Sequence, residues 1–152
     1  MFVLLAQLAR LPRPPRAGRG GRGALQIRHV DAGSCNGCEH ELQATLNPFH
    51  DMARFGFAIT ASPRHADVLL VTGSVTTPML GPLRSAYDAM SEPRTVAALG
   101  DCALGRSLLC GTEGAGTRVE DVLPVALRIP GCPPDPETIA RHLLEHRAGR
   151  TA

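Results

Sequence analysis

The sequence predicts an α/β fold: a doubly wound, mainly parallel sheet with helices on both faces, forming a single domain behind a basic N-terminal arm. Three observations point there. Short apolar runs alternate along the chain with helix-like stretches, the pattern of strands joined by helical crossovers. One run, Asp67-Val68-Leu69-Leu70-Val71-Thr72-Gly73, is continuously apolar at its centre, as a parallel strand covered on both faces requires. Aromatic residues make up only 3% of the chain, so the core must be aliphatic. A chain of 152 residues is about one domain and buries roughly 70% of the surface its unfolded form exposes, enough for a core without a disulfide scaffold.

The elements follow in order. Leu25–Val30 reads as the first strand and Asp31–Ser34 as a loop opening into a helix from about Glu39 to Leu46, stopped by Pro48. A short second helix, Phe49–Phe55, ends at Gly56, and Phe57–Thr60 makes a brief strand. Beyond the central apolar strand, Pro78 suits the first turn of a helix reaching Met90. Its Leu80, Leu83 and Tyr87 recur at three and four residues and face the core. Thr95–Leu99 and Val125–Ile129 complete the strands, and Pro136–Arg147 forms the last helix.

The formal charge of +2 conceals an asymmetry, because six of the sixteen arginines precede Asp31, the first acidic residue. The rest of the chain sets ten arginines against fourteen acids, a net of −4. Residues 1–24 are therefore expected to form a flexible basic arm that orders on a partner or stays solvated, with residues 25–150 as the folded domain. The arm has no interleaved aromatics, and nothing downstream resembles a recognition module, so nucleic acid is not an expected partner. Met1–Ala9 is apolar apart from Gln7 but far short of the ~20 residues that cross a bilayer. It is expected neither to span a membrane nor to direct export, and could rest at a membrane surface or in a groove of a membrane-embedded partner. Five cysteines, an odd number, with no evident secretory signal suggest the cytoplasm, where thiols bind metals or react rather than pair.

Four of the cysteines carry the strongest chemical signal. Cys35 and Cys38 form a close pair, and Cys102 and Cys132 are singles thirty residues apart. Each group follows an apolar run read as a strand, so all three segments can deliver thiols to the carboxyl edge of one sheet, where open α/β folds bind ligands. The pair lies at a helix N-terminus, which favours thiolate and the net negative charge of a metal–thiolate cluster. Structural zinc sites usually draw their ligands from two close pairs. One pair with two distant singles, and a proline directly after Cys132, favour an iron–sulfur cluster instead. A thioredoxin-like reading would use Cys35 and Cys38 but leave Cys102 and Cys132 idle. Cys110 reads as a small apolar residue in the loop after the third thiol.

The run Asp31-Ala32-Gly33-Ser34-Cys35-Asn36-Gly37-Cys38-Glu39-His40-Glu41-Leu42, with Ala44–Pro48, Arg54-Phe55-Gly56 and Pro63–Gly73, resembles the small subunit of energy-converting, membrane-bound [NiFe] hydrogenases of the formate hydrogenlyase type. That family includes the B subunit of complex I, the NADH:quinone oxidoreductase. The likeness runs from about residue 25 to residue 147. It implies a flavodoxin-like fold and one [4Fe–4S] cluster on Cys35, Cys38, Cys102 and Cys132. It further implies electron relay between a ferredoxin-like subunit and a hydrogenase-like, nickel–iron large subunit, alongside membrane-embedded subunits, so that the chain lies peripherally on the inner face of the cell membrane. The Cys-x-x-Cys spacing resembles the hydrogenase branch, since complex I subunits place those two cysteines side by side. Relatives usually carry a glycine pair where this chain has Arg106 and Ser107, and often an aspartate where Ala126 stands.

Five further residues are candidates for proton relay or subunit contact. Glu39 and Glu41 flank the cysteine pair, although acids also favour the first turn of a helix for electrostatic reasons. Asp101, beside Cys102, could couple protonation to reduction or cap a loop. Arg64 and His65 precede the central strand, where the resemblance implies a subunit interface; a plain surface loop is the other reading. His142 and His146, four apart on the last helix, read as solvated helix residues.

Overall fold

The computed structural model describes residues 24–107 and 116–149. Most of the expected arm, the Met1–Ala9 segment and Cys110 lie outside the described residues. Five strands, β1 (Leu25–Asp31), β2 (Phe57–Ile59), β3 (Val68–Thr72), β4 (Thr95–Leu99) and β5 (Val125–Ile129), form one sheet in the order β2-β1-β3-β4-β5. Every pairing is parallel. This is the flavodoxin-like order, in which the winding reverses between β1 and β3 and leaves a crevice at the carboxyl ends of those strands.

Side-chain alternation along the strands sorts the core into two layers. On one face Val30, Leu69, Val71, Val96 and Ala98 pack with Leu83 of helix α2 (Leu80–Asp88). On the other, Ile27, Val68, Leu70, Ala97, Leu99 and Ile129 pack with Leu42 of α1 (Gly37–Ala44) and with Ile139 and Leu143 of α3 (Pro136–Gly149). All five residues of β3 and all five of β4 are buried, which is why those runs carry no polar alternation. Burying each such leucine contributes about 1.5–3 kcal/mol.

Two elements differ from the sequence expectation. The first helix starts and stops two residues earlier than Glu39–Leu46, because Asn36 adopts a left-handed conformation at its start and the Thr45 hydroxyl donates to the Leu42 carbonyl at its end. The expected helix Phe49–Phe55 is reduced to one 3₁₀ turn, Met52–Phe55. There the Asn47 side chain accepts from the backbone N–H groups of Phe49 and His50, and Asp51 takes φ +41°, which breaks helical continuity. The helix expected from Pro78 opens as a 3₁₀ turn, Thr77–Met79, before α2 proper.

One irregularity bears on the site. Val96 pairs with Val125, but the next residue, Ala97, pairs with Leu127, so Ala126 is an extra residue in β5. This bulge puts Ile129, rather than Arg128, opposite Leu99 at the end of the ladder. A one-residue shift exchanges the faces of a strand, so the bulge brings a buried isoleucine into the core just before the Cys132 loop.

Candidate metal centre

The loops that leave β1, β3, β4 and β5 at their carboxyl ends enclose an open depression of about 310 Å³, lined by Cys35, Cys38, Cys102 and Cys132 together with Ser34, Gly73, Asp101 and Gly131. The three cysteine groups thus share one pocket, as their positions after three strands anticipate. All four thiols are free of disulfides; Cys35 and Cys132 are exposed, Cys38 and Cys102 half-buried.

Local chemistry shapes each wall. After β1, the Asp31 carboxylate accepts from the backbone N–H groups of Gly33 (2.9 Å) and Ser34 (2.8 Å), folding the chain into a turn. The Ser34 hydroxyl accepts from the Asn36 N–H at 3.1 Å and donates to Glu39 at 2.7 Å, so the segment bearing Cys35 is tied to the first turn of α1. Gly100, after β4, has φ +90°, and a Cβ there would lie 2.5 Å from Cys38 Sγ. Only glycine both tolerates that conformation and leaves room for the neighbouring sulfur.

Electrostatics among the sulfurs reports their proximity. Burial pushes the Cys38 thiol up to about 12 from an ordinary 9.0, and the negative charge of Glu39, Cys102, Cys35 and Cys132 adds to the shift. Cys132, although exposed, is raised as well, by residual desolvation first and then by Cys102, Asp101 and Cys35. Four thiolates gathered this closely repel one another, and a bound cationic core would relieve that repulsion.

Glu39, next to Cys38, is buried at 9% exposure and sits in a polar network. It accepts from the hydroxyls of Ser34 and Thr72, and His29 Nε2 lies 3.6 Å away. Thr72 has a single hydroxyl proton and gives it to Glu39, so its oxygen accepts from His29 Nε2–H at 2.9 Å. Burial holds His29 below its ordinary 6.5 despite the opposing pull of Glu39 and Asp31, which favours the neutral imidazole.

The remaining candidates fall in several places. Glu41 is half-buried on α1 and does not line the pocket. Asp101 lines it, and its carboxylate accepts from the backbone N–H of Gly131 at 3.0 Å. Arg64 and His65 are exposed in a 3₁₀ turn before β3, at the opposite end of the sheet from the thiols. His142 Nδ1 lies 2.8 Å from the Thr138 carbonyl, one turn back in its own helix. Sequence reasoning missed Thr72, His29 and Gly100. The polar end of the otherwise apolar β3 run was the available signal for Thr72.

Among the described residues no helix is long and apolar enough to cross a membrane. Residues 35–146 match the family described as NADH ubiquinone oxidoreductase, 20 Kd subunit. The chain is 43% identical over 111 residues to the probable membrane-bound hydrogenase subunit mbhJ of Pyrococcus furiosus, a match spanning 73% of this chain and 66% of that protein. It is 40% identical over 110 residues to formate hydrogenlyase subunit 7 of Escherichia coli K12, spanning 72% of this chain and 43% of that one. The chain thus covers less than two thirds of the length of either relative. Among solved structures, a chain of the membrane-bound sulfane sulfur reductase, an archaeal respiratory membrane complex, superposes with a TM-score of 0.68 at 27% identity, covering 93% of this chain and 74% of that one. These relatives are subunits of oxidoreductase complexes, and the matched segment contains all four pocket cysteines. The chain belongs to the NADH ubiquinone oxidoreductase 20 Kd subunit family.

Proposed function

We propose that this chain is an electron-transfer subunit of a membrane-bound, hydrogenase-like or formate hydrogenlyase-like complex, in which Cys35, Cys38, Cys102 and Cys132 hold one [4Fe–4S] cluster. The observation that carries the reading is the meeting of four cysteines from three strand-end loops in one pocket. The donor set fits the group, since four soft thiolates suit iron–sulfur chemistry. Among the described residues no group of three or more His, Cys, Asp or Glu is placed to hold a metal ion as it stands, while the four cysteines line one open pocket.

When bound, such a cluster accepts and gives up single electrons. The protein's own part is to hold the thiols and to set the local charge. Glu39, Ser34 and the helix N-terminus orient the Cys35–Cys38 segment, Gly100 leaves space for the Cys38 sulfur, and the exposed Cys35 and Cys132 put the site at the surface, where a partner subunit can approach. The proposed partners are a nickel–iron large subunit on one side and a ferredoxin-like subunit on the other. Membrane-embedded subunits would keep the chain peripheral to the inner face of the membrane, and the arginine-rich arm would serve partner contact. A quinone-reducing, complex I-like assembly is the second reading, favoured by the family description itself.

Anaerobically purified chain is expected to be brown, to carry about four irons, and to give an S = ½ EPR signal on reduction. Stoichiometric zinc without colour would overturn the reading. Copurifying subunits separate the two assemblies: a large subunit with two Cys-x-x-Cys pairs supports the hydrogenase, and its absence supports the quinone-linked complex.

A further inference from the structure

We infer that Asp101 is a positioning residue that locks the Cys102 and Cys132 loops together in the geometry the site needs; this rests on the proposal that both cysteines are ligands. The β4–β5 ladder ends with Leu99 opposite Ile129. Two main-chain bonds continue it: Gly100 N–H donates to the Ile129 carbonyl and Asp101 N–H to the Gly131 carbonyl, both at 2.8 Å. The Gly100 carbonyl accepts from the Leu104 N–H at 3.2 Å instead of from β5, and the Gly131 N–H donates to the Asp101 carboxylate at 3.0 Å. Asp101 and Gly131 therefore exchange two hydrogen bonds, one through main chain only and one through the Asp101 side chain.

The consequence lies one residue further on, because Cys102 directly follows Asp101 and Cys132 directly follows Gly131. The Arg106 N–H also donates to the Asp101 carbonyl at 2.8 Å, closing the turn that carries Cys102. A single residue thus joins two sulfur-bearing loops separated by thirty positions in sequence, at the place where the sheet can no longer hold them in register. The requirement is for an acceptor at one position. Asparagine retains an Oδ1 there, whereas glutamate keeps the charge but moves the oxygen out by a methylene.

The contrast between Asp101→Asn and Asp101→Glu in the full chain tests this. Each protein, checked for its fold by circular dichroism, is reconstituted anaerobically with ferrous iron and sulfide, and iron release to a chelator is timed. Asp101→Asn is expected to release iron within about twofold of the wild type, and Asp101→Glu about tenfold faster, in the range of lost supporting contacts at metal sites. In the metal-free chains, hydrogen exchange at the Gly131 amide should stay slow in the wild type and Asp101→Asn and become fast in Asp101→Glu. Equal release from wild type and Asp101→Glu, or release from Asp101→Asn as fast as from Asp101→Glu, would overturn the assignment. If the wild type takes up zinc but no iron and sulfide, the cluster reading fails, while exchange at Gly131 still decides the role of Asp101.

Discussion

Cys38 rides on a helix whose first turn is anchored by polar side chains from three elements, whereas Cys102 and Cys132 sit on loops held to each other by main-chain bonds and one carboxylate. On the first side, Glu39 gathers Ser34 from the β1–α1 loop, Thr72 from the end of β3 and, through Thr72, His29 from β1. On the second, Asp101 and Gly131 extend a parallel ladder by one step. The difference teaches where each half is vulnerable. On the first side Glu39 and Thr72 are buried, and unpairing them is costly because they cannot turn to water. A half-exposed loop pair costs less to loosen but depends on atomic placement.

The largest expected effect falls on both halves alike. Replacing Cys38 or Cys102 by serine should lower iron from about four per chain to below about one, read by metal analysis after anaerobic reconstitution. Retention of full iron in either variant would remove that cysteine from the ligand set.

Gly100→Ala probes the seam between the halves. The residue has φ +90°, and the new Cβ would press on Cys38 Sγ. A cost of about 2–3 kcal/mol is expected, seen as a lower urea midpoint of the metal-free chain together with weaker iron retention. An unchanged midpoint would show that the loop can shift without penalty.

Glu39→Ala sharpens the contrast on the buried side. It orphans the Thr72 hydroxyl and should cost about 1–2 kcal/mol, while Glu39→Gln, which keeps an acceptor, should cost less. Thermal unfolding of the metal-free protein reads both. Equal stability of all three proteins would mean that the network contributes nothing to holding α1.

The remaining effects are pH-dependent and differ in sign. Cys38 has a folded value raised to about 12 from 9.0, so in the metal-free chain its contribution is complete below pH 9.0 and is lost as pH rises through about 12, where the unfolded chain binds fewer protons. His29 is lowered from 6.5, so its contribution is complete above 6.5 and falls away as pH drops through the lower folded value. Denaturant titrations across each window should show both slopes. The acid slope should flatten in His29→Gln and the alkaline one in Cys38→Ser.

Local patterns are legible in the order of residues alone. Continuous apolar runs mark β3 and β4 because strands covered on both faces admit no polar alternation, and the grouping of cysteines after strand-like runs points to one shared edge. The Asn47 side chain that cancels the expected helix at Phe49 is harder to read, since a short polar residue suits a helix end and a turn equally. Glu39, Glu41 and Asp101 stand out as acids near thiols, but their hydrogen-bond partners do not.

What the sequence alone determined is the five strands, the three longer helices and the grouping of the thiols after strand ends, because periodicity and cysteine spacing are properties of nearby residues. Only the tertiary structure decided that β1 lies between β2 and β3, that Ala126 bulges to set Ile129 against Leu99, that Glu39 meets Thr72, and that Asp101 reaches Gly131. Each of these joins residues far apart in the chain. Such contacts depend on strand register and on the reach of single side chains, which take effect only once the sheet has assembled.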